Sequence, residues 1–195
     1  MIATTTEPKL RRFTREEYYR MADLGLFEDQ HVELIGGEII VMSPQNPQHA
    51  TAIKRVEIRL ELLFGANSFI RTQLPLNLGL NSNPEPDLAV VSGAFEDYSD
   101  RHPDSALLVV EVCDATLDYC RTRKASLYAA GGIKDYWLVN LPAAQVEVYR
   151  NPIKARGEAF GYRFGKEAVF KSGDSIAPLA RPKSLIEIKK LLPRK

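Results

Sequence analysis

Two acidic residues stand inside stretches that otherwise read as buried strand. Pro86-Asp87 opens the run Pro86-Asp87-Leu88-Ala89-Val90-Val91, and Glu111 interrupts Leu107-Leu108-Val109-Val110-Glu111-Val112, with Lys124 a short distance beyond. Taking a carboxylate out of water costs several kcal/mol unless a partner offsets it. Two such acids followed by a lysine ask for a counter-charge from outside the chain, and a divalent cation is the usual one. Hard oxygen ligands with no histidine pair or cysteine cluster nearby favour magnesium or manganese over zinc. That chemistry points to phosphodiester hydrolysis.

The elements around these residues must bring them together. Strand alternation puts Leu107, Val109, Glu111 and Cys113 on one face and Leu108, Val110 and Val112 on the other. If the two runs pair antiparallel, the start of the first meets the end of the second, and Asp87 and Glu111 become neighbours. Upstream, Thr14-Arg15-Glu16-Glu17 is a capping box for a helix to about Leu24, stopped by Gly25. His31 to Ile35 and Glu38 to Met42 flank Gly36-Gly37 as a hairpin. Pro47 to Phe64 has helical spacing and ends at Gly65, while Ser68 to Leu78, Pro86 to Val91 and Ala106 to Cys113 read as strands. Residues 92–105 read as a surface excursion. A helix over Arg121 to Ala130 precedes Gly131-Gly132, and a second hairpin pairs Asp135 to Asn140 with Gln145 to Arg150. Glu167 to Phe170 makes a late strand, and Ser184 to Leu192 a closing helix. The fold class is α/β of the α+β kind: a central mixed β-sheet flanked by helices, not a doubly wound nucleotide fold.

The 195 residues suit a flexible N-terminal segment over 1–12 and a single domain over 13–195. A net charge of +1 gives no global basic signature, so any cleft for nucleic acid must be locally basic. Cys113 and Cys120 cannot build a disulfide framework and point to a reducing, cytoplasmic compartment, with Cys113 read as a buried thiol. They lie seven positions apart without a matching His or Cys partner, which argues against zinc. Met1 to Arg12 lacks the apolar core of a signal peptide, and no stretch reaches the roughly 20 apolar residues of a membrane span.

Each candidate also has a plainer reading. Asp87 alone reads as a strand-end acid paired with an arginine. Glu111 could form a buried structural ion pair with Lys124, and Lys124 alone reads as a solvated helix lysine. Glu33, beside a tight hairpin, reads as surface when taken by itself. His49 either meets phosphate or caps the helix after Pro47. Tyr136 and Trp137 read as core or interface aromatics.

Pro86-Asp87 followed by Glu111-Val112-Cys113 resembles the PD-(D/E)XK signature of restriction-endonuclease-like nucleases. More closely, the chain is similar to the Uma-type restriction endonuclease family from about Phe13 to Leu185. The likeness rests on Arg12-Phe13-Thr14-Arg15-Glu16-Glu17-Tyr18, Val32-Glu33-Leu34-Ile35-Gly36-Gly37-Glu38-Ile39, Ser43-Pro44 leading to His49, and Glu85-Pro86-Asp87-Leu88. It continues through Glu111-Val112-Cys113-Asp114, Lys124, Tyr128-Ala129-Ala130-Gly131-Gly132-Ile133 and Tyr136-Trp137-Leu138-Val139. The resemblance implies a restriction-endonuclease-like fold and a magnesium- or manganese-dependent endonuclease acting on DNA. Asp87 and Glu111 would be metal ligands, with the Val112 carbonyl a third and Glu33 completing the shell directly or through water. The general signature places its lysine where this chain has Cys113, and the family looks instead to Lys124. Relatives usually carry an aspartate four residues before that lysine, where this chain has Cys120, and Asp118 differs in helical phase. Cys113 and Cys120 therefore favour the alternative, a catalytically decayed nucleic-acid- or partner-binding module. A hydrolase acting on RNA or a nucleotide is a second rival. Two-strand cleavage would suit a homodimer whose symmetry matches the duplex.

Overall fold

The two acid-bearing runs lie side by side in the middle of a six-stranded sheet. The computed structural model describes residues 9–65 and 67–193, so most of the predicted flexible segment, residues 1–8, lies outside the described residues. The chain runs through α1 (Arg15–Asp23), the hairpin β1 (Val32–Ile35) and β2 (Glu38–Val41), α2 (Pro47–Glu61), β3 (Ser68–Thr72), β4 (Leu88–Ser92) and β5 (Leu108–Cys113). A helical run follows, made of α3 (Leu117–Tyr119), a π-helical turn (Cys120–Lys124) and α4 (Ala125–Ala130). Then come β6 (Asp135–Asn140), β7 (Gln145–Lys154), β8 (Tyr162–Phe170) and the short pair β9 (Ser175–Ile176) and β10 (Ile186–Glu187). The main sheet has the order β3-β4-β5-β6-β7-β8. It is antiparallel except where β5 meets β6 in parallel. A parallel neighbour needs a crossover, and the helical run from Leu117 to Ala130 supplies it.

Local chemistry explains why these elements begin where they do. Thr14 Oγ1 accepts from the Glu17 amide at 3.2 Å while Glu17 Oε2 accepts from the Thr14 amide at 3.0 Å, the reciprocal capping box. Gly36 and Gly37 take φ of +61° and +78°, which the two-residue hairpin turn requires. At Gly37 a Cβ would also stand 2.6 Å from Arg12 Cβ. Asn46 caps α2 by accepting from the His49 amide at 2.9 Å, with Pro47 at the first helical position.

The alternation along β5 divides two cores. Leu108, Val110 and Val112 face α2, where Ala52, Ile53, Val56 and Leu60 pack on them with Leu88, Val90 and Trp137. Val109 and Cys113 face α4 with Ala89, Val91, Leu127, Tyr128, Tyr136 and Leu138. Each fully buried Leu, Val or Ile contributes roughly 1.5–3 kcal/mol, enough to lock the register of the strand that carries Glu111.

Several predicted boundaries move. Strand β3 stops at Thr72 rather than Leu78, because Gln73 takes φ +52° and leaves the ladder. The polar, glycine-containing stretch 151–165 is the far half of a long β7–β8 hairpin, with Lys154 opposite Tyr162. Its charge fits a strand because much of β8 is exposed. The closing helix predicted over Ser184 to Leu192 is instead β10 and a 3-10 turn, Ile188–Lys190. Ile186 pairs with Ile176, and the Ile188 amide is taken by the Asp174 carbonyl. Residues 9–12 are tied down at two points: Arg11 pairs with Glu17, and Arg12 pairs with Glu38 at 3.0 Å and donates to the Gly36 carbonyl. No helix among the described residues is long and apolar enough to cross a membrane.

Candidate active site

The antiparallel register of β4 and β5 sets Leu88 opposite Val110. Its next step brings Asp87 to the end of β5, where Asp87 Oδ2 accepts from the Val112 amide at 2.8 Å. Glu111 and the face of α4 meet on the same side of the sheet. Lys124 Nζ donates to Glu111 Oε1 at 2.9 Å and to Glu33 Oε1, on β1, at 3.1 Å. The Tyr128 hydroxyl donates to the same Glu111 oxygen. All four ionisable groups are buried: Glu33 is 1% exposed, Lys124 2%, Glu111 4% and Asp87 7%.

Lys124 reaches this position through the π-helical turn. The Ala125 amide donates five residues back to the Cys120 carbonyl, a wider turn than the α-helix makes. Arg121 instead reaches Glu147, and Arg123 reaches Glu38 and the Ile35 carbonyl. Of the three basic residues in the turn, only Lys124 is buried.

The charge in this pocket does not balance. Burial raises the Glu111 carboxyl to about 7, with Lys124 opposing and Asp87 and Glu33 adding to the rise. Glu33 is raised by the same desolvation, again only partly offset by Lys124. Burial works against the charge on Lys124, but Glu111 and Glu33 outweigh it and hold the ammonium above its ordinary value. Glu33 Oε2 is buried with no hydrogen-bond partner among the described residues.

His49 closes the other side. Its Nε2 donates to the Val112 carbonyl at 2.8 Å and stands 3.4 Å from Asp87 Oδ2. Burial disfavours its protonation, but Asp87, the Val112 carbonyl and Glu111 together raise it above the ordinary imidazole value. A cleft of about 150 Å³ opens onto Glu33, His49, Asp87, Glu111, Val112 and Lys124.

The structure therefore brings Glu33, His49, Asp87, Glu111, Val112 and Lys124 to one cleft, and it overturns five readings made from the residues alone. Asp87 stands beside His49 rather than an arginine. Glu33 is not a surface acid, because the hairpin folds its face down against α4 and leaves it 1% exposed. Lys124 is not solvated. His49 does not cap α2, since Asn46 does. Cys113 is not a free thiol: it is joined to Cys120 by a disulfide, with their Cα atoms 7.0 Å apart. The helical run starts at Leu117, four residues before the predicted Arg121, and that earlier start carries Cys120 back over the end of β5. Tyr128 was missed. It lies four residues beyond Lys124 on α4, so helical spacing alone puts both on one face.

The donor set suits a hard divalent ion. Two carboxylates, one backbone carbonyl and the unpartnered oxygen of Glu33 are all oxygen donors, in a pocket with excess negative charge. Among the described residues no three His, Cys, Asp or Glu side chains converge closely enough to hold an ion unaided. Magnesium does not require three, since it binds through one or two carboxylates and keeps water and substrate oxygens for the rest.

No curated protein matches the chain. Its fold is similar to the crystal structure of a putative nuclease belonging to DUF820 from Anabaena variabilis ATCC 29413. The TM-score is 0.69 at 16% identity, covering 92% of this chain and 97% of that one. The model of the Uma2 family, described as "Putative restriction endonuclease", matches residues 15–175. That span contains the whole main sheet and every residue of the pocket, and the chain belongs to the Uma2 family.

Proposed function

We propose that this chain is a metal-dependent endonuclease that hydrolyses phosphodiester bonds in DNA. The observation that carries this reading is three buried carboxylates, Asp87, Glu111 and Glu33, facing one buried lysine. Such a pocket is relieved either by protonation of Glu111 or by a further positive charge, and a bound cation would supply the second.

Asp87, Glu111 and the carbonyl of Val112 would hold magnesium or manganese, with Glu33 behind them. When bound, the ion would place positive charge beside the scissile phosphate and ease deprotonation of the attacking water. Lys124 has three donor hydrogens, and Glu33 and Glu111 use two. The third is left to orient the attacking water or to meet the charge that grows on the phosphate oxygens. Tyr128 and Lys124 fix one oxygen of Glu111, so the other is the one presented to a ligand. His49 Nε2 donates to the Val112 carbonyl and stands beside Asp87, so it orients two of the oxygens that would hold the ion.

The test is cleavage of plasmid, single-stranded DNA and RNA in parallel, with magnesium or manganese and with chelator. Asp87→Ala and Glu111→Ala should abolish metal-dependent DNA cleavage and leave the fold intact; persistence of wild-type cleavage in either excludes this site. The second reading, a decayed binding module, is favoured by Cys120 standing where relatives usually carry an aspartate. Manganese calorimetry separates the two, because a decayed module has no ion site to lose when Asp87 is replaced.

A further inference from the structure

Most of the buried charges in this protein have an opposite charge beside them. Asp135 pairs with Arg150, Glu147 with Arg121, Asp87 with His49, and Glu33 and Glu111 with Lys124. Arg71 on β3 does not. It is 5% exposed, and among the described residues no carboxylate lies within 4 Å of it. Its Nη2 donates to the Pro75 carbonyl at 3.4 Å and to His102 Nδ1 at 3.2 Å, and its Nε has no partner. Across the ladder Arg71 stands opposite Ala89, which offers it no charge. A buried arginine left this way is destabilising, and an anion bound nearby would relieve it.

A cleft of about 480 Å³ lies directly beyond His102, lined also by Arg15, Tyr19, Asn77, Asn83 and Arg101. Because His102 Nδ1 accepts from Arg71, the ring proton sits on Nε2, and a neutral imidazole adds a donor to the cleft wall. Burial and the adjacent Arg71 both keep His102 below its ordinary value, so its charge does not repel Arg71. Asp100 is the one acid in the lining, and its 4.0 Å approach to Arg101 is exposed and weak. Asn83 lines this cleft while Glu85, two residues on, lines the candidate active site, so the two openings adjoin along one stretch of chain.

We infer that this cleft is a phosphate-binding subsite, with Arg15 and Arg101 as its lining cations and Arg71 adding its charge from behind His102, that grips the nucleic-acid backbone away from the scissile bond. The identity of the phosphate carrier rests on the nuclease reading; the anion site itself does not. Two probes test it: inorganic phosphate by thermal shift, and a fluorescein-labelled DNA duplex by anisotropy in chelator. The variants are Arg71→Met and Arg101→Ala, the second a surface change that leaves the core alone. Arg101→Ala should weaken duplex binding roughly tenfold and lower the log–log salt slope by about one, and Arg71→Met, acting from behind His102, should weaken binding by a smaller factor. Each should also shrink the phosphate-induced rise in Tm. Without phosphate, Arg71→Met should melt higher than wild type, whereas an arginine with a merely structural role would melt lower when replaced. Wild-type duplex affinity and salt slope in both variants overturn the inference, as does a wild type that responds to neither probe. If wild type cleaves DNA in an Asp87-dependent way while both variants bind normally, this inference alone fails. If wild type binds through Arg71 and Arg101 yet never cleaves, the nuclease reading alone fails.

Discussion

Replacing Glu111 by glutamine should make the metal-free protein more stable at alkaline pH while destroying its activity. The Glu111 carboxyl is raised from an ordinary 4.5 to about 7, first because it is buried. At about 1.4 kcal/mol for each tenfold change in proton affinity, that rise corresponds to roughly 3 kcal/mol. The sign follows from which form the fold prefers. A raised acid contributes stability that is complete below about pH 4.5 and is lost as pH climbs through about 7. Glutamine keeps an acceptor for Lys124 and Tyr128 but removes the titrating charge, leaving one lysine to one acid, Glu33. Urea unfolding in chelator should therefore give equal stability for Glu111→Gln and wild type at pH 4.5. At pH 8 the variant should be more stable, by up to roughly 3 kcal/mol. Magnesium should then stabilise wild type at pH 8 and leave the variant unchanged. A variant less stable than wild type by the same amount at both values would refute the reasoning, for Glu111 would then be a balanced ion-pair partner.

Lys124→Met should cost about 3–5 kcal/mol near neutral pH, because it leaves Glu33 and Glu111 buried without a counter-charge. Most of that loss should be regained at pH 5, and a loss that ignores pH would count against it. Cys113→Ser removes a crosslink with a sequence separation of 7, which stabilises by roughly 2 kcal/mol in a loop-entropy account. A thiol reductant should lower the urea midpoint of wild type to that of the variant, and an insensitive wild type would exclude the bridge. Burial opposes the charge on Glu147, but hydrogen bonds from Arg121, Asn140, Tyr149 and Gln145 hold it down to about 2. This acid contributes stability above about pH 4.5 that is lost as pH falls toward 2. Arg121→Ala should cost about 1–2 kcal/mol at pH 7 and much less at pH 2, where Glu147 is half protonated, as read from thermal melts.

What could be read in the sequence was written in local signals. Thr14 and Glu17 are three residues apart, Gly36-Gly37 admits one kind of turn, and the period of two along β5 puts Glu111 on a known face. The proximity of Asp87 and Glu111 needed one further condition, antiparallel pairing, which the β4–β5 ladder meets. The depth of Glu33 was not legible, because the lysine that makes it tolerable lies 91 residues away. The Cys113–Cys120 bridge was hidden by a helix start placed four residues late. At the C-terminus, Leu185, Ile188 and Leu192 recur at helical spacing, but the pairing of Ile186 with Ile176 on a two-residue strand decided otherwise.

The turn from Cys120 to Lys124 separates where a lysine is encoded from where its ammonium arrives. One additional residue per turn rotates everything after it by about 100°, so excising a single residue there would swing Nζ toward solvent even though Lys124 itself is kept. The restriction-endonuclease signature encodes its lysine on the strand, at the place occupied here by Cys113. In this chain a helix of altered pitch brings the Lys124 ammonium to Glu33 and Glu111 from across the pocket. Selection on such a centre acts on coordinates rather than on sequence position, and a short wider turn is enough to let the two drift apart.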